Sequence, residues 1–385
     1  MASRGLYLSR LWMGSQFAET VLPRPIRPLS AHIKLTENCQ AKCITCDYWK
    51  GRWQDAINTE QAIGLVNQLA RAGIRSVRLT GGEPLLRKDL FEVLNRAESG
   101  SFKNIVLQTN GLLLKKRHKE INDSPITKVA VSVDGLEKTN DLIRGIEGYF
   151  KRAFEGIGLL RGKKLALSVT PNKFSAMELS RLREVALRAG AEIELNILSQ
   201  SLFFYADIAP LWPEAAETEE IVRFVREELK RPAYEVEYME KYYKRETLQE
   251  PACVLGFLQL YVMSNGDVLT GCYSLPPVGN ILQQTLESIL ASDAYYEQAL
   301  AMVRRQCPGC VCGVESSLAM KHAASSAISE LHRLTSGGAG KNKQEEDRKL
   351  PAVEVPRLEP VDGSNQEQQG EAFNGFRNPQ IPTFR

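Results

Sequence analysis

The chain has 385 residues, is 43% hydrophobic and carries a formal net charge of +3. It is long enough to bury a large core, its charge is too small to indicate nucleic-acid binding, and it contains no apolar run of bilayer-spanning length. Its eight cysteines, in a long chain without a secretory h-region, favour metal ligation in a reducing compartment over disulfides. We therefore expect a cytoplasmic protein with no membrane and no nucleic-acid partner.

The first predicted elements form an α/β region. Residues 1–30 are Arg- and Pro-containing and are predicted to be an N-terminal arm. From residue 31 to about 200, strand-like and helical patterns alternate, which indicates a parallel sheet covered by helices. Strands are predicted at 31–36, 76–80, 104–109, 127–133, 164–170 and 191–198. A helix is predicted to begin at Asn58 and end at Gly73, and a capping box is predicted at Ser175 and Glu178.

Six such units are too few to close an eight-stranded barrel. The sequence therefore predicts a partial (β/α)6 TIM-like barrel whose site lies at the carboxyl ends of the strands.

Three cysteines, Cys39, Cys43 and Cys46, follow the first predicted strand in a CxxxCxxC pattern. A cubic iron–sulfur cluster has four irons and is usually held by thiolates, so three cysteines leave one iron open to another ligand. An iron that can bind another ligand indicates a catalytic cluster and not a purely structural one. The same spacing also suits zinc, and that alternative stays open on the spacing alone.

Gly81, Gly82 and Glu83 lie at the end of the second predicted strand. Successive glycines let backbone groups approach a ligand closely, and a carboxylate beside them can accept hydrogen bonds from an ammonium group. With the CxxxCxxC loop, this motif resembles the radical S-adenosylmethionine (radical SAM) superfamily. The resemblance implies a [4Fe-4S] cluster on the three cysteines, and a SAM amino group held by Gly81, Gly82 and Glu83.

Three later residues acquire expected roles from the same resemblance. It implies that Ser132, after the fourth strand, contacts the SAM ribose and that Arg144 binds the SAM carboxylate, which a guanidinium matches bidentately. It also implies that Asn172, after the fifth strand, lies near the adenosine. The alternative is that Asn110-Gly111, after the third strand, and Asp134-Gly135, after the fourth, mark ordinary turns.

The remaining cysteines are Cys253, Cys272, Cys307, Cys310 and Cys312, all after the predicted barrel. An Asn-Gly turn between the first two predicts a hairpin. The segment resembles the twitch or SPASM extension of radical SAM enzymes, which implies one auxiliary [4Fe-4S] cluster on the first four of these cysteines. Cys312 would replace one of them or stay free. A second zinc site is the alternative.

The domain prediction follows from these segments. Residues 31–200 form the partial barrel, 201–250 a linking helical region, 251–335 a small α+β cysteine-rich domain, and 336–385 a disordered tail of polar composition. Within the linking region, Tyr234, Tyr238 and Tyr242 recur at helical spacing, which is more typical of packing than of a substrate pocket.

The resemblance implies reductive cleavage of SAM to methionine and a 5'-deoxyadenosyl radical, which abstracts hydrogen from a substrate C–H bond. A net oxidation of a small polar metabolite is the preferred interpretation, with a flavodoxin or ferredoxin as reductant. The alternatives are a maturase that modifies a ribosomally made peptide, and a non-enzymatic iron–sulfur or zinc scaffold. No single residue is predicted to be catalytic.

Overall fold

The structure, a computed structural model, describes residues 7, 10, 11, 22–50, 55–198, 207–246, 253–273 and 275–306. These residues belong to one compact unit. The predictions for Cys307, Cys310, Cys312 and the tail lie outside the described residues. No helix in the described part is long and apolar enough to cross a membrane.

The core of the fold is one nine-stranded sheet in the order β6-β5-β4-β3-β2-β1-β7-β8-β9. The strands from β1 to β7 run parallel to their neighbours, and the last two pairings are antiparallel. Their bounds are β1 Ser30–Lys34, β2 Ser76–Thr80, β3 Asn104–Thr109, β4 Lys128–Ser132, β5 Lys164–Val169, β6 Ala191–Leu195, β7 Gln259–Val262, β8 Asp267–Leu269 and β9 Gly279–Asn280.

Helices cover one face of this sheet. The described helices are α1 Thr59–Arg71, α2 Leu90–Arg96, α3 Leu114–Asp123, α4 Glu137–Arg144, α5 Tyr149–Ile157, α6 Leu179–Arg188, α7 Ala215–Arg223, α8 Ala233–Tyr243, α9 Leu255–Leu258, α10 Leu286–Ala291 and α11 Asp293–Val303. A π-helical turn, Phe224–Glu228, continues α7. Alternate strand residues such as Val77, Leu107 and Val129 pack with helix residues such as Leu65 and Leu69 in the main core.

The other face of the sheet is concave. Arg78 on β2 and Glu194 on β6 form an ion pair at 3.2 Å, although four strand spacings separate β2 from β6. In a flat sheet that separation would be about 19 Å, beyond the reach of two side chains. The sheet must therefore curl, and these side chains lie inside the curve. A partial, open barrel is thus confirmed.

Local capping signals explain some helix boundaries and not others. The helix predicted to begin at Asn58 does so, and Asn58 accepts from the backbone of Gln61 in a capping box that the sequence analysis did not predict. The box predicted at Ser175 and Glu178 is wrong. The Glu178 carboxylate instead accepts hydrogen bonds from Leu136 N and Thr139 Oγ1, both at 2.7 Å, because α4 begins beside it.

The cysteine-rich segment joins the barrel sheet directly. The predicted hairpin is present, with Gly266 at φ +90° in the turn between β7 and β8. The sequence did not predict that β7 would pair in parallel with β1, from Ser30↔Gln259 to Ile33↔Val262. The partial barrel therefore has a seventh parallel strand supplied by the later segment.

Candidate functional site

The CxxxCxxC loop leaves the carboxyl end of β1. Its three thiols are free and half-buried. Asn110 Nδ2 lies 3.8 Å from Cys39 Sγ, and Arg144 Nη1 lies 3.9 Å from Cys43 Sγ. The loop therefore meets the ends of β3 and α4, so the sequence motifs converge at the carboxyl edge of the sheet.

Burial raises the pKa values of these three thiols. It raises the pKa of Cys39 to about 11 and that of Cys46 to about 12, and neighbouring thiols push both in the same direction. Burial also raises the pKa of Cys43, although Arg144 opposes it. Thiolates here need a nearby cation, which bound iron supplies. Among the described residues, no three His, Cys, Asp or Glu side chains converge closely enough to hold a single metal ion.

The two motif glycines allow the loop after β2 to contact the cysteine loop. Gly82 N donates to Thr36 O at 2.7 Å, and Glu83 N donates to Asn38 O at 2.7 Å. A Cβ atom would lie 2.3 Å from Thr36 O if placed on Gly81, and 2.3 Å from Asn38 O if placed on Gly82. Gly81 also has φ +146°. A side chain at either glycine would therefore push the cysteine loop away.

Glu83 is fully buried and joins two loops. Its carboxylate accepts hydrogen bonds from Leu85 N at 3.0 Å, Thr109 Oγ1 at 2.8 Å and Asn110 N at 2.7 Å. Burial raises its pKa to about 7, against the effect of those three donors. All three partners belong to the chain itself, so the structure gives Glu83 an anchoring role besides the predicted one toward SAM.

Arg144 lies under the cysteine loop at the end of α4. Its Nη2 forms a 2.8 Å ion pair with Asp134, which is 1% exposed. Its Nε is buried and has no hydrogen-bond partner in the described structure. A buried guanidinium with an unused donor fits a further acceptor such as the SAM carboxylate.

The same helix end holds the cysteine loop by its backbone. Lys42 N donates to Arg144 O at 3.2 Å, and Ile44 N donates to Ile143 O at 2.9 Å. Gly145 adopts φ +67°, and a Cβ there would lie 2.2 Å from Lys42 O. The Arg-Gly pair is therefore required in part for docking the loop.

Ser132 and Asn172 occupy different environments. Ser132 is half-buried on the concave face, where its Oγ accepts from Gln108 Nε2 at 3.1 Å. Asn172 is fully buried. Its Oδ1 accepts from Phe174 N at 3.0 Å and its Nδ2 donates to Thr170 O at 3.1 Å, within a tight turn. Ser132 is thus open to a ligand, while Asn172 shapes the loop after β5.

Two of the later cysteines come together as the hairpin predicted. Cys253, which is 3% exposed, forms a small apolar cluster with Leu255 and Met302, and Cys272 packs against it. Met302 lies on α11, which ends at Val303, four residues before Cys307. Cys253 and Cys272 therefore lie near one another, and Cys307, Cys310 and Cys312 lie outside the described residues.

Sequence reasoning missed a buried ion pair beside the cysteine loop. Lys34 Nζ lies 2.6 Å from Glu37 Oε2 and 3.5 Å from the centroid of the Tyr48 ring. Burial lowers the pKa of Lys34 to about 8, although Glu37 opposes the shift. Ser264, in the β7–β8 turn, donates to Glu37 Oε1 at 2.7 Å. The alternation of β1 could have placed Lys34 on the concave face beside His32.

A second missed feature is a polar network across the concave face. It links Arg78 to Gln108 and Glu194, and Glu194 to Lys128. These residues occupy alternate positions on β2, β3, β4 and β6, opposite the helix-covered face. Strand alternation was the available signal, but the pairing of distant strands was not readable from sequence.

These features define an iron–sulfur protein built on a partial α/β barrel with a thiolate loop at its carboxyl edge. Residues 33–171 match the Radical SAM superfamily, and residues 253–312 match the SPASM iron-sulfur cluster-binding domain. The chain therefore belongs to the radical SAM superfamily and is of the SPASM/twitch type. The resemblance inferred from the motifs is confirmed, and so are [4Fe-4S] clusters and SAM as the cofactors of this class.

Individual relatives match parts of the chain. The sporulation killing factor maturation protein SkfB of Bacillus subtilis is 28% identical over 273 residues, 68% of this chain and 64% of that protein. A GTP 3',8-cyclase of Aquifex aeolicus is 35% identical over 160 residues, 39% of this chain and 48% of that protein. The chain spans from 36% to 68% of the length of the first curated relatives.

A solved structure supports the fold. Streptococcus suis SuiB bound to its precursor peptide SuiA matches with a TM-score of 0.53 and 20% identity, covering 70% of this chain and 66% of that chain.

The residues present fit the cofactors of this class. Three thiols on one loop leave a four-iron cluster with one open iron. The orphaned Arg144 Nε and the half-buried Ser132 hydroxyl are polar atoms available at the same edge. The donor set therefore suits an amino acid-bearing nucleoside such as SAM beside a thiolate-bound cluster.

Proposed function

We propose that the protein is a radical SAM enzyme that removes a hydrogen atom from a C–H bond of a small polar substrate and oxidises it. The observation that carries this proposal is the meeting of the cysteine loop with a polar concave face at one edge of the sheet. When bound at the cysteine loop, a reduced cluster and SAM would supply the electron and the 5'-deoxyadenosyl radical for this reaction, with 5'-deoxyadenosine as the product that carries the hydrogen.

The chain's residues would bind and orient these groups. Cys39, Cys43 and Cys46 are the proposed cluster ligands. SAM is assigned to a set on the neighbouring loops, namely Gly81, Gly82, Glu83, Ser132, Arg144 and Asn172. For Arg144 the support is its orphaned donor; for Asn172 only the motif position supports the role, because its amide is used in a turn.

The later cysteines are proposed to hold one auxiliary cluster. Cys253, Cys272, Cys307 and Cys310 are the expected ligands, with Cys312 as a replacement or a free thiol. Such a cluster would accept the electron left on the substrate radical, which makes the net reaction a two-electron oxidation. A flavodoxin or ferredoxin in the cytoplasm is the proposed reductant.

A second candidate is modification of a ribosomally made peptide. The relative SkfB is named as a maturation protein, and its similarity covers 68% of this chain. The similarity to the GTP 3',8-cyclase covers 39%. The peptide candidate therefore has the broader support among these relatives, whereas the concave face favours a compact polar molecule.

The test is formation of 5'-deoxyadenosine by anaerobically reconstituted, reduced protein with SAM, measured by mass spectrometry. We expect slow formation without substrate, and its loss in Cys43→Ala. Formation that persists in this variant would contradict the assignment of the loop. No formation in protein with full iron content and a proven reductant, together with no SAM binding, would favour the scaffold alternative.

A further inference from the structure

The concave face contains a charge network that the cofactor assignments do not use. Arg78 donates through Nη1 to Gln108 Oε1 at 2.5 Å and pairs through Nη2 with Glu194 Oε2 at 3.2 Å. Lys128 Nζ lies 2.5 Å from Glu194 Oε1 and also contacts Glu192. Two cations, on β2 and β4, therefore pair with two carboxylates on β6.

The network is accessible from within the curve of the sheet. The exposed fractions are 27% for the Arg78 side chain, 25% for Glu194 and 17% for Lys128. Its floor is a separate apolar cluster of Val106, Ala130 and Ala166. A small apolar floor under a partly exposed polar ring is a surface that can bind a compact polar molecule.

Glu194 and Lys128 are held in their charged forms by their partners. Burial would raise the pKa of Glu194, but Arg78 and Lys128 outweigh it and the pKa lies below its ordinary value. Burial would lower the pKa of Lys128, but Glu192 and Glu194 hold it above its ordinary value. Arg78 and Lys128 thus each have a carboxylate partner at neutral pH.

The neighbouring basic groups add one exposed charge at the start of the strands, where Lys164 lies in register with Lys128. Lys34 is paired with Glu37 at 2.6 Å. His32 is neutral at physiological pH, because burial and the charge of Arg78 lower its pKa to about 3. A triphosphate carries several negative charges and would have to displace these carboxylates from Arg78 and Lys128, which costs free energy.

We propose that this network, formed by Arg78, Gln108, Lys128, Glu192 and Glu194, is the substrate-binding surface. It takes a compact molecule with hydroxyl, amide or ammonium groups and little net charge, and it rejects nucleoside triphosphates. This inference rests on the proposed function, and it separates this chain from the GTP 3',8-cyclases that resemble its barrel.

The experiment measures binding of GTP and of pyrophosphate to the reconstituted full chain by isothermal titration calorimetry. We expect neither to bind the wild type at about 1 mM, because their charges are not matched. In the double variant Glu192→Gln/Glu194→Gln, Arg78 and Lys128 lose their partners. Pyrophosphate should then bind at least about tenfold more tightly, in a salt-sensitive way.

A matched control changes the net charge equally on the helix-covered side. Glu184→Gln/Glu227→Gln removes two exposed carboxylates that pair with Arg188 and Arg223, and it should gain no pyrophosphate affinity. The single variant Glu192→Gln alters a side chain that is 63% exposed, so it should fold normally and show a smaller gain.

Two results would overturn the proposal: GTP binding to the wild type at micromolar concentrations, or an equal gain in the control and in the network variant. Basal 5'-deoxyadenosine formation is measured in the same samples. If that reaction is present while the binding pattern fails, only the substrate class is wrong. If the reaction itself is absent, the proposed function fails independently.

Discussion

At the scale of single residues, Gly81 and Gly82 are needed for packing against the cysteine loop as well as for the expected binding of SAM. Gly82 lies against Asn38 O, and a Cβ would also lie 2.6 Å from Glu37 O. Both neighbours are backbone atoms of the loop that carries the cysteines. The loop cannot yield locally without moving Cys39, so the iron site depends on this glycine.

We therefore expect Gly82→Ala to lose about half of the bound iron or more, because the first cluster is not held. Gly64→Ala is the matched control, since a Cβ at Gly64 meets nothing within 4 Å. Gly64 lies inside α1, so this change should keep the iron and stabilise the helix by about 0.5–1 kcal/mol. Iron analysis after reconstitution checks both; equal iron in the two variants would contradict the packing argument.

His32 should make folding sensitive to acid. Its pKa of about 3 in the folded chain lies below its ordinary value of 6.5, because of burial and of Arg78. Below pH 6.5 the unfolded chain gains a proton that the folded chain does not, so stability is lost as pH falls. Between pH 7.5 and 5.5 we expect a loss of about 1 kcal/mol from this group.

The variant His32→Phe removes the titration and keeps a ring against Tyr261, which now lies edge-on at 4.9 Å. Urea unfolding of wild type and variant at the two pH values measures the difference. An identical pH dependence in both proteins would show that His32 does not titrate in this way.

At the scale of elements, the β7–β8 turn is coupled to the end of β1. Ser264, which is 2% exposed, donates to Glu37, which is 4% exposed. Its backbone oxygen also accepts from Ala56 N at 3.0 Å and Ile57 N at 3.1 Å. The hairpin of the cysteine-rich segment therefore supports the Lys34–Glu37 pair beside the first cysteine loop.

We expect Ser264→Ala to destabilise the protein by about 2 kcal/mol, because a buried carboxylate loses a donor. Ser101→Ala removes an exposed hydroxyl that donates to Glu98 O, and it should cost less than about 0.5 kcal/mol. Thermal unfolding of both variants is the measurement. Equal midpoints would mean that Glu37 does not depend on the hairpin.

At the scale of the whole molecule, the two cysteine groups should behave as separate iron sites on one sheet. Cys43→Ala should remove about four irons per chain, and Cys253→Ala should remove about four others. Iron content and the electron paramagnetic resonance spectrum of the reduced protein distinguish them. Loss of all iron in either variant would indicate that the sites assemble together, and no loss in Cys253→Ala would exclude that residue as a ligand.

The sequence by itself determined the barrel strands, the hairpin and the division of the cysteines into two groups. Local alternation, turn residues and residue spacing carry those signals. The strands at 76–80 and 104–109 match the structure residue for residue. The interpretation of the tyrosine series as packing agrees with the structure at Tyr238, which is 8% exposed, and at Tyr242, which donates to Leu198 O at 3.0 Å. The side chain of Tyr234 lies outside the described part.

Only the tertiary structure decided which distant groups meet. Three contacts join segments that are far apart in the chain. They are the pairing of β1 with β7, the ion pair of Arg78 with Glu194, and the hydrogen bonds from the start of α4 to Glu178. Sheet curvature and helix placement set these contacts, and neither leaves a periodic signal in the sequence. Local motifs were therefore enough to identify the cofactors. The charge pairs of the concave face join distant strands, so only the fold showed them.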